Sequence, residues 1–142
     1  HMSKYQRSYS ATNTRAVIPS LFIKDGKIDF DGIAVTKDWP EDVSSMVDIL
    51  GTFGEIHVHD VDADNGDSAK NAELLDQLLD RLPCRLSGGF TTNERVYDWL
   101  DKGATQVIVD YSERQLGFLD GVPRDRVTIS VSVLAAPADA AR

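Results

Sequence analysis

Glu55-Ile56-His57-Val58-His59-Asp60-Val61 and Cys84-Arg85-Leu86-Ser87-Gly88-Gly89, with the helical period of residues 72–82 between them, decide the fold. The first stretch, Glu55 to Val61, reads as a strand. An acidic loop, Asp62 to Ser68, follows and carries the Asn65-Gly66 turn signal. Ala72, Leu75, Leu78, Leu79 and Leu82 then fall on one helical face, and Pro83 stops that helix. Cys84 to Ser87 is a second apolar run, ending at Gly88-Gly89. Strand, helix and strand in this order form a βαβ unit, which joins parallel strands by a right-handed crossover.

The same alternation extends both ways. Upstream, Ala16 to Ile23 reads as a strand. Trp39-Pro40-Glu41-Asp42 opens a helix, with Val43, Met46, Val47 and Leu50 on its apolar face and Gly51 and Gly54 at its end. Downstream, Thr91 and Glu94 have the spacing of a capping box. Val96, Trp99 and Leu100 give the buried face of the helix it would start, and Gly103 its stop. Thr105 to Val109 is a fourth strand, Glu113 to Leu119 a short helix, and Val127 to Leu134 a fifth strand. Trp39 and Trp99 are expected to cover the sheet. The order is βαβαβαβαβ, an α/β chain with a parallel sheet.

Two architectures use this order. One is a (βα)4 half of a (βα)8 TIM barrel plus a fifth strand, completed by dimerisation. The other is an open, flavodoxin-like, doubly wound sheet. Both place a site at the C-terminal ends of the strands. The expected division is a flexible N-terminal tail over residues 1–15, an α/β domain over 16–136 and a C-terminal tail over 137–142. His1-Met2 reads as a cloning scar.

The 142 residues are 42% hydrophobic and 27% charged, the composition of a globular domain. A net charge of −8 argues against nucleic acid, whose phosphates require a basic face. No apolar run approaches the roughly 20 residues of a membrane span. A single cysteine, Cys84, has no partner for an internal disulfide, which fits a cytoplasmic setting and a buried, inert thiol.

Several segments in order resemble the histidine-biosynthesis barrels. These are the phosphoribosylformimino aminoimidazole carboxamide ribotide isomerase and the cyclase subunit of imidazole glycerol phosphate synthase. The isomerase is the nearer of the two. Ile18-Pro19-Ser20-Leu21-Phe22-Ile23-Lys24-Asp25-Gly26-Lys27 resembles its opening strand, Ile-Pro-Ala-Ile-Asp-Leu-Lys-Asp-Gly-Lys. Ile56-His57-Val58-His59-Asp60-Val61-Asp62-Ala63 is similar to Leu-His-Val-Val-Asp-Leu-Asp-Gly/Ala, with matching spacing to Asn71-Ala72-Glu73-Leu74-Leu75. Leu86-Ser87-Gly88-Gly89-Phe90 stands where that family has Val-Gly-Gly-Gly-Ile, and Gly103-Ala104-Thr105-Gln106-Val107-Ile108-Val109 resembles Gly-Ala-Asp-Arg-Val-Ile-Ile. The resemblance covers about residues 16–134, the N-terminal half of such a barrel and the start of the next strand.

It implies an acid–base pair of carboxyl groups facing each other across a barrel. At the first of these positions the chain has Phe22; at the second, on the fifth strand, the alignment gives Ser132. Neither side chain can do a carboxyl group's work, so the family's reaction is expected to be lost. Gly88 and Gly89, with Thr91 at the next helix start, keep a backbone grip for phosphate. Two glycines also suit a plain tight turn. Where the family has Gly-Thr after the fourth strand, this chain has Asp110-Tyr111-Ser112, and a carboxylate there repels phosphate.

His57 falls at the family's active-site histidine, and His59 points to the same face. Asp60 points away, so no metal site is expected and the histidines should line the barrel interior or rim with hydrogen bonds. Asp62, Asp64 and Asp67 lack the twelfth-position Glu of a calcium loop and read as a solvated acidic loop. No cofactor is implied. The leading expectation is a homodimeric domain with weak phosphate or phosphosugar binding and no isomerase activity. A half-barrel of this kind would present two open strand edges and an apolar concave face. The alternatives are an active small enzyme on a phosphorylated sugar, using His57, Asp60, Asp25 or Asp110, and a doubly wound regulatory or interaction domain.

Overall fold

The computed structural model describes residues 17–29, 40, 42–111 and 116–131. Trp39, Ser132, residues 113–115 of the expected short helix and both expected tails lie outside the described residues. Strand β1, Ser20–Lys24, turns through Asp25-Gly26 into a two-residue strand β2, Lys27–Ile28, which pairs with it antiparallel. Both turn residues have positive φ, 52° at Asp25 and 75° at Gly26. That backbone defines the tight hairpin turn for which Asp-Gly is the preferred pair.

Helix α1 spans Val43–Leu50, and the carboxylate of its N-cap Asp42 accepts from the Ser45 amide. Strand β3, Ile56–Asp60, leads into α2, Val61–Asp64, a one-turn helix capped by Asp60. Helix α3 is Ala72–Arg81, β4 is Cys84–Ser87, α4 is Asn93–Asp101 and β5 is Gln106–Asp110. Two single 3₁₀ turns, Gly117–Leu119 and Arg124–Arg126, precede β6, Val127–Ser130.

The sheet has six strands in the order β2-β1-β3-β4-β5-β6. From β1 to β6 every neighbouring pair is parallel. The parallel strands follow one another in sequence order, with no reversal. A doubly wound sheet needs a reversal to send helices to both faces, so the flavodoxin-like alternative does not hold. Burial agrees, because it is one-sided. Leu21, Ile23, Ile56, Val58, Leu86, Val107 and Val109 are buried in a single cluster with Met46, Val47 and Leu50 of α1, Leu75 and Leu78 of α3, and Val96 and Trp99 of α4. Sequential parallel order and a one-sided helical layer make this a partial TIM-barrel-like sheet.

Several expectations need correction. The antiparallel β2 adds a sixth strand, because Asp25-Gly26 closes a hairpin. It occupies the outer edge of β1 from Phe22 onward, where Asp29 N–H also bonds the Phe22 carbonyl. Among the described residues the two outer strands are therefore β2 and β6, so the open edge expected at β1 lies on β2 instead. The acidic loop is not simply solvated: α2 forms inside it, and Asp62 is buried. The capping box does not form as read. Thr92, one residue later, caps α4 by accepting from the Arg95 amide.

Candidate functional site

Alternation along the strands places one set of side chains on the face away from the helices. The registers arrange them in rungs. Ser20, His57, Arg85 and Gln106 form one; Phe22, His59, Ser87, Ile108 and Thr128 form the next; Asp110 and Ser130 stand beyond. This face is polar, not the apolar surface expected for an unclosed barrel. Only Phe22 and Ile108 among these residues are hydrophobic.

At the C-terminal ends of the strands this face opens into a pocket of about 680 Å³. His57, His59 and Ser87 line one side of it, the turn Gly88 to Thr92 with Arg95 another, and Asp110 and Ser130 belong to the last two strands. The two histidines are joined by one hydroxyl. Ser87 Oγ lies 2.7 Å from His57 Nε2 and 2.7 Å from His59 Nδ1. Ser20 Oγ lies 2.9 Å from His57 Nδ1, and His59 Nε2 is 3.8 Å from Asp64 Oδ2. Burial, aided by the neighbouring His59 and Arg85 charges, pulls the His57 pKa below its usual value. The Phe22 ring packs on His59 with centroids 5.3 Å apart. The expectation of hydrogen-bonded histidines on the open face is met.

The turn after β4 explains its own glycines. A Cβ on Gly88 would stand 2.3 Å from the Asp60 carbonyl oxygen, and one on Gly89 2.5 Å from that of Ala63. The two strand-end turns thus touch backbone to backbone. The same turn leads into the N-terminus of α4, where backbone N–H groups and the helix dipole favour an anion.

The structure does not bring His57, Asp60 and Asp25 together. His57 lines the pocket; the other two do not. Asp60 is 1% exposed, on the helix side of β3. Its Oδ1 accepts from the Ala63 amide at 3.0 Å and from Asn71 Nδ2 at 2.7 Å. Its Oδ2 lies 3.8 Å from the Arg95 guanidinium. Asp25 sits in the hairpin turn and pairs with Lys70 at 3.0 Å. Among the described residues no group of three or more His, Cys, Asp or Glu side chains converges.

Sequence reasoning missed three residues here. Asn71, fully buried, donates to Asp60 and to Asp62 Oδ2 (2.9 Å) and accepts from the Gly26 amide at 2.7 Å. Asp62 in turn accepts from the Asp25 amide at 2.7 Å. The network locks the β1–β2 turn to the β3–α2 turn. Arg95 holds the Gly88 carbonyl at 3.0 Å and stacks over Phe90, and burial lowers its pKa. Its position one turn into a helix after Gly-Gly was the available signal. Ser87 bridges the histidines; its place opposite His59 follows only from the register.

A one-sided parallel βα sheet with a pocket at its strand ends has the layout of the (βα)-barrel proteins, whose sites lie at that end. The family profile described as "Histidine biosynthesis protein" matches residues 16–115, and the chain belongs to that family. It is 39% identical over 56 residues to the 1-(5-phosphoribosyl)-5-((5-phosphoribosylamino)methylideneamino) imidazole-4-carboxamide isomerase 2 of Ruegeria pomeroyi, a match covering 38% of this chain and 22% of that protein. Isomerases with the same name, without the numeral, from Novosphingobium aromaticivorans and Salinibacter ruber are 30% and 28% identical over 101 residues. Those matches cover 66% of this chain and 42% and 39% of theirs. The chain thus spans less than half the length of these relatives.

Proposed function

We propose that this chain is a half-barrel relative of the histidine-pathway isomerases that binds a phosphate or phosphosugar at its strand ends, does not carry out their isomerisation, and pairs with a second copy. The observation that carries the reading is Phe22. In the opening-strand pattern that this segment resembles, Ile-Pro-Ala-Ile-Asp-Leu, an Asp stands at this position, and the Phe22 ring packs on His59. Without a carboxyl group there, proton transfer at that point has no donor, a loss of roughly 10²–10⁴-fold for one member of an acid–base pair. Phosphate binding rests on the Gly88-Gly89 turn and the α4 N-terminus, with Arg95 adding positive charge nearby; Asp64 and Asp110 oppose it and keep it weak.

Pairing is supported by β6. No described strand covers its outer edge, and Ile129 and Val131 are exposed. Unpaired edges favour pairing with another chain. The test is an isomerase assay on the ribotide substrate. The purified chain is expected to give no turnover; turnover that disappears in Phe22→Ala would overturn the reading.

A second reading, an active enzyme using other residues, is favoured by one observation: the hydrogen-bonded histidine pair reaching into the pocket.

A further inference from the structure

We propose that His59 is a proton-transfer group for a small phosphorylated α-hydroxy ketone, supplied through Ser87, His57 and Ser20; this rests on the phosphate-binding reading of the same pocket. Three positions where the chain departs from the isomerase pattern quoted above are in contact. Phe22 replaces Asp, His59 replaces Val and Ser87 replaces Gly. Phe22 packs on His59, and His59 bonds Ser87 at 2.7 Å. The loss of an acid and the gain of an imidazole with its own partner occur at one place.

The chemistry of the chain Ser20–His57–Ser87–His59 follows from counting protons. Each neutral imidazole has one N–H and one lone pair, and each hydroxyl has one proton. The bridging hydroxyl therefore donates to one histidine and accepts from the other. Two orientations satisfy every bond. In one, Ser20 donates to His57 Nδ1, His57 Nε2–H to Ser87, and Ser87 to His59 Nδ1. His59 then presents Nε2–H to the pocket, toward Asp64. In the other, all three bonds run backward and His59 Nε2 presents a lone pair. Passing between them moves protons along the chain without creating net charge, and Ser20 is exposed at its far end. His59 can thus act as base or acid without a carboxylate. Gly88, the start of the phosphate turn, follows Ser87 directly, so a ligand phosphate held there leaves its carbon chain beside His59.

In the step, the C–H bond next to the ketone breaks. Its electron pair forms the C=C bond of an enediolate, and the carbonyl π pair moves to oxygen. The proton goes to His59 Nε2. The Nδ1 proton passes to Ser87, that of Ser87 to His57 Nε2, and that of His57 Nδ1 to Ser20 and solvent. Reversal returns a solvent proton to carbon, so no oxidant or second reactant is needed. The charged groups near the pair are Asp64, Arg95 and Asp110 in the pocket and Arg85 beside His57.

The experiment incubates the full chain with dihydroxyacetone phosphate in D₂O. Loss of the C–H proton signal is followed by NMR, and binding is read separately from the ligand-induced rise in melting temperature. The expected result is exchange above the protein-free rate, reduced roughly 10²-fold in His59→Gln, with the melting shift retained. Ser87→Ala, a positioning change, is expected to move the pH profile of exchange as well as its rate. A melting shift without exchange, or exchange unchanged in His59→Gln, would overturn this proposal alone. No melting shift and no exchange would overturn both this proposal and the phosphate reading. If His59→Gln proves unfolded by circular dichroism, the absence of a pH-profile shift in Ser87→Ala decides against it.

Discussion

Gly88 has φ near +105°, and a Cβ there would meet the Asp60 carbonyl oxygen at 2.3 Å. Both strain and overlap oppose any side chain. Gly88→Ala is expected to cost about 2–3 kcal/mol, read as a lower urea midpoint. His57 gives a prediction in pH. Its folded pKa lies below the ordinary 6.5. Between the two values the unfolded chain binds more protons, so stability is complete above about pH 6.5 and falls as pH drops through the folded value. Urea midpoints between pH 5 and 7.5 should show that decline, and His57→Gln should flatten it. Cys84, with its pKa pushed up to about 12 by burial, should resist thiol reagents until the protein unfolds. At this scale the sequence was informative where period alone decides. The shared face of His57 and His59 and the burial of Cys84 follow from alternation and apolar context. The cap did not, because Thr91 and Thr92 are chemically equal candidates and only the backbone turn at Gly88-Gly89 chooses Thr92.

The strands and long helices announce themselves by apolar runs and 3.6-residue periods, and their ends shift by a residue or a few. The β1–β2 hairpin carries its signal in Asp25-Gly26, but a two-residue strand offers no alternation to read. What ties the elements is less visible. The bonds from Asp25 to Asp62 and from Gly26 to Asn71 join positions 37 and 45 residues apart. Polar side chains that meet only after folding leave no periodic trace. Asn71→Ala removes both donors that Nδ2 gives to Asp60 and Asp62. A loss of about 2–4 kcal/mol is expected from leaving buried acceptors unpaired, measured by chemical denaturation. Arg126 performs a similar task at β6: its guanidinium bonds the carbonyls of Leu100, Ala104 and Thr105 at 3.3, 2.8 and 3.0 Å. Arg126→Ala should release β6 first, seen as faster amide exchange at residues 127–130 than in the neighbouring β5.

At the scale of the molecule, the described parallel strands run in sequence order and make a barrel-type sheet whose helices cover one face and whose other face carries hydroxyls, imidazoles and an arginine. The alternation of strands and helices made a parallel sheet legible, while choosing between a barrel-type and a doubly wound sheet required the actual strand order. The polarity of the open face was partly legible, since Ser20, His57, His59, Arg85 and Ser87 alternate with the core residues. The proposed pairing predicts a dimer by light scattering at tens of micromolar; a strict monomer there would count against it. The claim on which the functional account most depends is that an anion is held at the strand ends. A ¹⁵N–¹H titration of the whole chain with inorganic phosphate tests it directly. Saturable shifts are expected at the amides of Gly88, Gly89, Thr91 and Thr92, with smaller ones at His59 and Ser87. Shifts confined to the lysines near the hairpin, Lys24, Lys27 and Lys70, or no saturable shift at all, would contradict it.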